Sequence, residues 1–421
     1  MFWRVPAVAA AAALTYWLIR RARRRYEDAR AQSDAFRLGH HHQQRRLGQS
    51  SVHVTVLGQG GAPLGDLYQK VDDATALGAL ATAHDAGITL FDTSPWYGVG
   101  LSEARFGISL HRVPRNSFSL QTKCGRFLIP DPAGVNGTAV GWIGGHHNRI
   151  AFDYTADAIE RQLEDSLQRT GLGRIDSVVI HDLEPTPHRD AATGDTGFAA
   201  AKVHLDELRS SGFAALQRLR AAGKISAIGA GVNIDEDGED PQLKREWNAL
   251  YVDALLGMHE GHGSAKVEPG ERGIDFLLIA NMHSLVCFEA LESGLFEKCA
   301  RAGVSLIIGG PYSSGLLATG ADPADGSIPK FNYQPASHEI RARTRKLEAI
   351  CARFGVPLIA AALQFPLLRD DCVACVIPGA KSPAEVRGNV ANMNVPIPDA
   401  LWSSLVAEGL VPESAVRQPA S

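Results

Sequence analysis

The strongest constraint on this chain is alternation. From Ser51 onward, short runs rich in branched apolar residues take turns with amphipathic stretches of helical period, and eight such pairs fit within about 340 residues. The runs lie near 52–57, 88–91, 118–122, 175–180, 225–230, 274–279, 304–308 and 372–377. The spacing predicts helices at 72–86, 102–110, 155–170, 198–222, 241–251, 288–302 and 338–354, with a last one after Ser382. Gly87, Gly171, Gly223, Gly303 and Gly355 stand where helices of this kind stop. Eight parallel βα units make a (β/α)8 barrel with lengthened loops, and nothing signals a second core. A doubly wound dinucleotide-binding sheet is disfavoured. Its one glycine-rich candidate, Gly58 to Pro63, carries proline where the third glycine or alanine belongs, and no helix opens there. The 421 residues therefore read as a leader with linker at 1–50, a barrel at 51–412 and a tail at 413–421.

Charge divides the chain in the same place. The first 50 residues hold ten arginines against Glu27, Asp28 and Asp34, a balance of +7, so a whole-chain charge of -4 leaves -11 on the rest. An acidic body without a basic stripe argues against a nucleic-acid partner. Residues 5–19 form an apolar run followed at once by RRARRR. At about 1.5 Å per residue it barely reaches across a bilayer core of about 30 Å. It reads as a short or tilted membrane tether whose arginines would hold the body in the cytosol. A cleaved mitochondrial presequence and an extension without consequence are the alternatives. Six cysteines are too few for a disulfide scaffold, and the CxxC of Cys372 and Cys375 lies in an apolar run that reads as a core strand.

In a barrel the chemistry belongs at the C-terminal ends of the strands. Polar residues stand just past three predicted strands: Asp92 in ITLFDTSPWYG, with Tyr97 five residues on, Lys123 in FSLQTKCGR, and His181 in IDSVVIHDLE. Each alone has a plain structural reading, as a helix cap, a solvating edge lysine or a satisfied histidine. Together they suit proton transfer at a carbonyl. A phenol with a pKa near 10 is a poor acid or base unless a buried cation such as Lys123 stabilises its phenolate, with Asp92 holding the lysine. His181 would polarise the carbonyl oxygen. None of the four donates hydride, so a nicotinamide cofactor is implied.

These residues and their surroundings resemble the aldo-keto reductase family over nearly all of 52–395. FDTSPWYGVGLSEARFG is similar to its signature around Asp and Tyr, TKCGR to its Lys segment, and RQLEDSLQRTGLGRIDSVVIHD to the unit that ends in its His. The resemblance implies a catalytic tetrad of Asp92, Tyr97, Lys123 and His181, with Tyr97 the general acid in reduction and the general base in oxidation. It also implies a cofactor site. Asn233 of IGAGVN would hold the nicotinamide carboxamide. Gly379, Lys381, Ser382, Arg387 and Asn389 of VIPGAKSPAEVRGNVANM would grip the adenosine end, and Ser313 and Gly315 would line the segment after strand seven. NADP(H) and NAD(H) both stay open, with Arg387 favouring a 2'-phosphate. The segments GGPYSSGLLATG, IGAGVN and VIPGAKSP are similar to a sugar-dehydrogenase branch that oxidises a lactol to a lactone. That branch includes aldose 1-dehydrogenases for L-fucose or L-galactose type sugars and pyridoxal 4-dehydrogenase. Gly309 and Gly310 stand where many members place a tyrosine that stacks on the nicotinamide.

Three enlarged connections follow strands, at 127–152, 183–197 and 234–272, and so belong to the mouth. Trp96, Trp142 and His146 are the substrate-contact candidates. His146 and His147 are adjacent, point apart and lack an acidic or cysteine partner at ligand spacing, so no metal site is expected. The resulting expectation is an NAD(P)-dependent oxidoreductase acting on a small carbonyl or sugar substrate. A cofactor-binding sensor subunit of the same fold is the alternative, and a metal-dependent barrel hydrolase lacks the further ligands it would need.

Overall fold

The computed structural model describes residues 40–132, 141–188, 197–233, 241–259 and 272–416. Eight parallel strands form its centre: β1 (Gln59–Gly60), β2 (Leu90–Asp92), β3 (Ser119–Cys124), β4 (Ser177–Ile180), β5 (Ala227–Asn233), β6 (Phe276–Ala280), β7 (Ser305–Gly309) and β8 (Val373–Ile377). Each pairs with the next in chain order. Parallel bridges between Leu57 and Val376 and between Gly60 and Gly379 join β1 back to β8 and close the barrel. Alternate residues divide between two cores, as the pleat of a strand requires. Leu90, Val179, Phe276, Leu278, Ile307 and Ile377 fill the interior, while Phe91, Val178, Leu277 and Ile308 face the helical shell.

The other strands begin one or two residues later than the sequence suggests, and the first is a different element. The run expected as strand one at 52–57 begins with His53–Thr55, which pairs antiparallel with Gln44–Arg46. Leu47, Val52 and Val54 enter the interior core, so this hairpin floors the barrel and β1 follows it. The expected boundary between residues 50 and 51 thus falls inside the hairpin. At the other end, Glu413–Ala415 forms a 3-10 turn with Ala415 fully buried, so the expected tail also begins within the packed body.

The helices that position the mouth are α1 (Asp73–Asp85), α2 (Leu101–Leu110), α3 (Ala156–Thr170), α4 (Phe198–Glu207), α5 (Phe213–Ala221), α6 (Pro241–His259), α7 (Leu295–Ala302), α8 (His338–Arg353), α9 (Leu358–Gln364), α10 (Pro383–Met393) and α11 (Asp399–Ala407). The Asp72 side chain caps α1 by accepting from Thr75 N at 2.9 Å. The stretch expected as one helix at 198–222 is broken by a π-turn, Leu208–Gly212, where the backbone closes on Tyr154. A β-carbon on Gly212 would meet Tyr154 O at 2.0 Å. The loop after β3 contains an antiparallel hairpin, Arg126–Pro130 with Asn148–Phe152. Cys372 and Cys375 are both buried, as core residues. Among the described residues no single helix is long and apolar enough to cross a membrane, and the candidate tether at 5–19 lies outside them.

Candidate active site

Asp92 ends β2, and Lys123 is the penultimate residue of β3. Lys123 Nζ donates to Asp92 Oδ1 at 2.8 Å and to Thr93 O at 2.8 Å, and Gln121 Nε2 donates to the same Asp92 oxygen at 2.6 Å. Both partners of this ion pair are buried. Such a pair fixes geometry more than it adds stability, because desolvation offsets much of the attraction. The ammonium lies 4.7 Å from the centroid of the Tyr97 ring.

Tyr97 begins a strained turn. Gly98, Val99 and Gly100 have φ of 60°, 44° and 103°, and a β-branched residue rarely adopts the value at Val99. Asn148 Nδ2 donates to Val99 O at 2.9 Å and His146 N donates to Gly98 O at 3.0 Å, so the hairpin after β3 holds the turn in place. Asp182, Asn281, Ser313 and Ser314 also have positive φ. All follow β4, β6 or β7, so backbone strain concentrates at the mouth, as it does at working sites.

His181 follows β4. Tyr154 OH donates to His181 O at 2.5 Å and to Asp182 O at 3.0 Å, which pins the end of that strand. The Tyr97 and His181 rings are 6.5 Å apart at 89°. The structure therefore brings Asp92, Tyr97, Lys123 and His181 to one end of the barrel. Their electrostatics differ from expectation at one point. Burial first, and then Asp92, push the Tyr97 phenol well above its usual pKa, so it is held protonated. Burial drives His181 down to about 3, which keeps the imidazole neutral.

Trp142 is buried, bridges antiparallel to Leu67, and packs on Trp96 and Tyr97 with ring centroids 5.9 Å away in each case. Its indole N–H and the Tyr68 hydroxyl are buried without a hydrogen-bond partner. His146 is exposed and packs beside Gly100.

A model of the aldo/keto reductase family matches residues 56–237 and 262–407. The chain belongs to the aldo/keto reductase family. It is accordingly an NAD(P)-dependent oxidoreductase of carbonyl and alcohol groups. The reductase is 36% identical over 378 residues to pyridoxal 4-dehydrogenase of Microbacterium luteolum, across 88% of this chain and 98% of that protein. It is 31% identical over 367 residues to D-threo-aldose 1-dehydrogenase of a Pseudomonas species, across 86% and 96%. The solved glycerol dehydrogenase of Gluconobacter oxydans has the same fold, with a TM-score of 0.59 at 20% identity over 90% of this chain and 99% of that one.

The residues expected to hold the nucleotide lie at the ends of β7 and β8. Gly310, Ser313, Ser314 and Gly315 all have positive φ, and Ser313 donates its hydroxyl to Ser284 Oγ at 2.9 Å. Gly379 lets the end of β8 close on Pro63, whose Cγ would lie 2.6 Å from an added β-carbon. Ser382 caps α10 by accepting from Glu385 N at 3.2 Å, and Lys381 Nζ lies 3.5 Å from Glu385 Oε1. Arg387 is exposed one turn further on. A capped helix N-terminus flanked by two cations and a tight glycine approach fits an anionic dinucleotide. Tyr312 donates its hydroxyl to Asn389 Oδ1 on α10 at 2.7 Å. Asn233 Nδ2 donates to Asp182 Oδ1 at 3.2 Å and to Glu184 Oε1 at 3.3 Å, so two carboxylates hold this side chain.

Arg126 and Asp182, within TKCGR and just past VVIH, pack directly against His181 and were not among the residues singled out from the sequence. The signal available was their charge in otherwise apolar strand ends.

Proposed function

We propose that this reductase is an aldose 1-dehydrogenase that oxidises the anomeric hydroxyl of a cyclic sugar to a lactone. The observation that carries this reading is the buried, unpartnered indole N–H of Trp142 beside Tyr97, with a second unpartnered donor, the Tyr68 hydroxyl, next to the Leu67–Trp142 bridge. A buried donor without a partner costs about 1–3 kcal/mol, which a substrate hydroxyl returns by accepting from it. The relatedness to an aldose 1-dehydrogenase supports the same substrate class.

In this reading Tyr97 exchanges a proton with the reacting oxygen. As a protonated phenol it donates to a carbonyl during reduction; in oxidation it first releases that proton to solvent, Lys123 compensating the phenolate charge, and the phenolate then accepts the hydroxyl proton. Asp92 holds Lys123 in place, and His181 orients the oxygen. When bound, the nicotinamide supplies the hydride exchange. Oxidation then removes one hydride and one proton from the sugar, yielding the lactone, the reduced cofactor and a proton. Asn233 would hold the carboxamide; Ser313, Gly315, Gly379, Lys381 and Ser382 the phosphates; and Asn389 and Arg387 the adenosine end. The exposed Arg387 favours NADP(H). Arg387→Ala is expected to raise KM for NADP+ and leave KM for NAD+ unchanged.

The deciding experiment follows reduced-cofactor absorbance for the full chain with NAD+ or NADP+ against aldoses, pyridoxal, pyridoxine and glycerol. Turnover of an aldose to its lactone is the expected result. Tight cofactor binding with no turnover of any aldose would overturn it and favour a sensor. We assign residues 5–19 as a tether that keeps the barrel cytosolic, on the strength of the arginines that follow. A fluorescent fusion of residues 1–50 tests this, with mitochondrial or diffuse signal counting against it.

A further inference from the structure

Arg126, the first residue of the Arg126–Pro130 strand, is 5% exposed and lies against His181. Its Nη1 is 3.1 Å from His181 Nδ1 and also donates to Asp182 Oδ2. Its guanidinium carbon stands 4.7 Å from the Trp96 ring centroid and 4.7 Å from that of Phe152, so the group is clamped between two aromatic rings. A guanidinium has five N–H donors, no acceptor, and does not lose its charge in proteins. His181 Nδ1 therefore accepts, and the hydrogen of the neutral ring sits on Nε2. Burial lowers the His181 pKa to about 3 despite Asp182, with Arg126 and Lys123 lowering it further. The ring is thus neutral throughout the physiological range. Nε2 lies 3.3 Å from Asp182 Oδ1, the same oxygen that accepts from Asn233.

The geometry points to Arg126 as a positioning residue that fixes His181 as the Nε2–H tautomer, so that the ring offers a donor to the reacting oxygen of the substrate. Asp182 completes the device. Its Oδ2 anchors the guanidinium, and its Oδ1 orients Nε2–H until a substrate oxygen displaces it. With the opposite tautomer a lone pair would face the carbonyl oxygen and repel it. The consequence for turnover rests on the proposed function, whereas the tautomer itself does not.

The test is the nitrogen spectrum of the full-length protein, with the His181 signals assigned by their loss in His181→Gln. The wild type is expected to show an unprotonated Nδ1 and a protonated Nε2. Arg126→Met removes the donor but keeps bulk; it should put the proton on Nδ1 in part of the molecules and lower kcat about 100-fold, with the Kd for the cofactor changed by less than about twofold. Arg126→Lys, which restores a charged donor, should return the wild-type tautomer and part of the rate. A protonated Nδ1 in the wild type, or unchanged Nε2–H in Arg126→Met, would overturn the assignment. If Arg126→Met does not fold, a protonated Nδ1 in the wild type or in Arg126→Lys still overturns the assignment. If no aldose is turned over, the substrate reading fails while the spectra continue to test Arg126.

Discussion

Lys123 and Asp92 are bonded to each other in a site from which water is excluded, so neither can be removed alone without leaving a buried charge. Lys123→Met is expected to cost about 3–5 kcal/mol in a denaturant titration, in addition to abolishing turnover. Tyr97→Phe keeps the ring on Trp142 and loses only the hydroxyl. It should lower kcat by at least about 100-fold while cofactor binding, followed by fluorescence, stays as in the wild type. Three histidines set the acid limit of the fold. Burial before any other cause holds His181 and His283 down to about 3 and His188 to about 4, against an ordinary value of 6.5. Each binds its proton more weakly folded than unfolded. Their contribution is complete above pH 6.5 and is lost as pH falls from there toward the folded values. Tm should be lower at about pH 5 than at about pH 7.5, and an equal Tm at the two would contradict this account. The tetrad was legible because each member interrupts or ends an apolar run. Arg126 was not, because nothing in TKCGR says that the chain turns at Gly125 and folds the arginine under His181.

Among the elements, the contact of α2 with the end of α3 leaves no room for a side chain. A β-carbon on Gly107 would lie 1.8 Å from Thr170 O. Gly107→Ala is therefore expected to destabilise by about 1–3 kcal/mol through overpacking, read from the urea midpoint. The helices with a clear polar face, such as α3, were legible nearly to the residue. Two of the elements that were not show different reasons. The alternation of VHVTVL suits an antiparallel floor strand as well as a barrel strand, and the pattern does not name its partner. In α9, Ala360, Ala361, Ala362 and Leu363 are all buried, so the run has little polar face from which a helical period could be read.

For the molecule as a whole, the floor hairpin makes residues 44–50 part of the barrel. Arg45 Nη1 donates to Val373 O at 2.6 Å, Gly48 N donates to Ser305 Oγ at 2.8 Å, and Leu47 is fully buried in the interior core. A chain lacking residues 1–50 should melt at least about 5 °C below one lacking residues 1–39, measured by calorimetry. The eight-unit count and the parallel order were legible because each strand is followed by its own helix. The lower end was hidden because its polar QRR segment carries no core pattern of its own. That end also has a direction. His41 lies between Ala86 O and the Asn394 side chain, at the C-terminal ends of α1 and α10, and so on the side of the barrel opposite Tyr97. Residues 40–50 are thus a handle fixed to the back of the tool. Enzyme captured on a bead by its first residues should keep its working face toward the solution and turn over at the rate of the free protein.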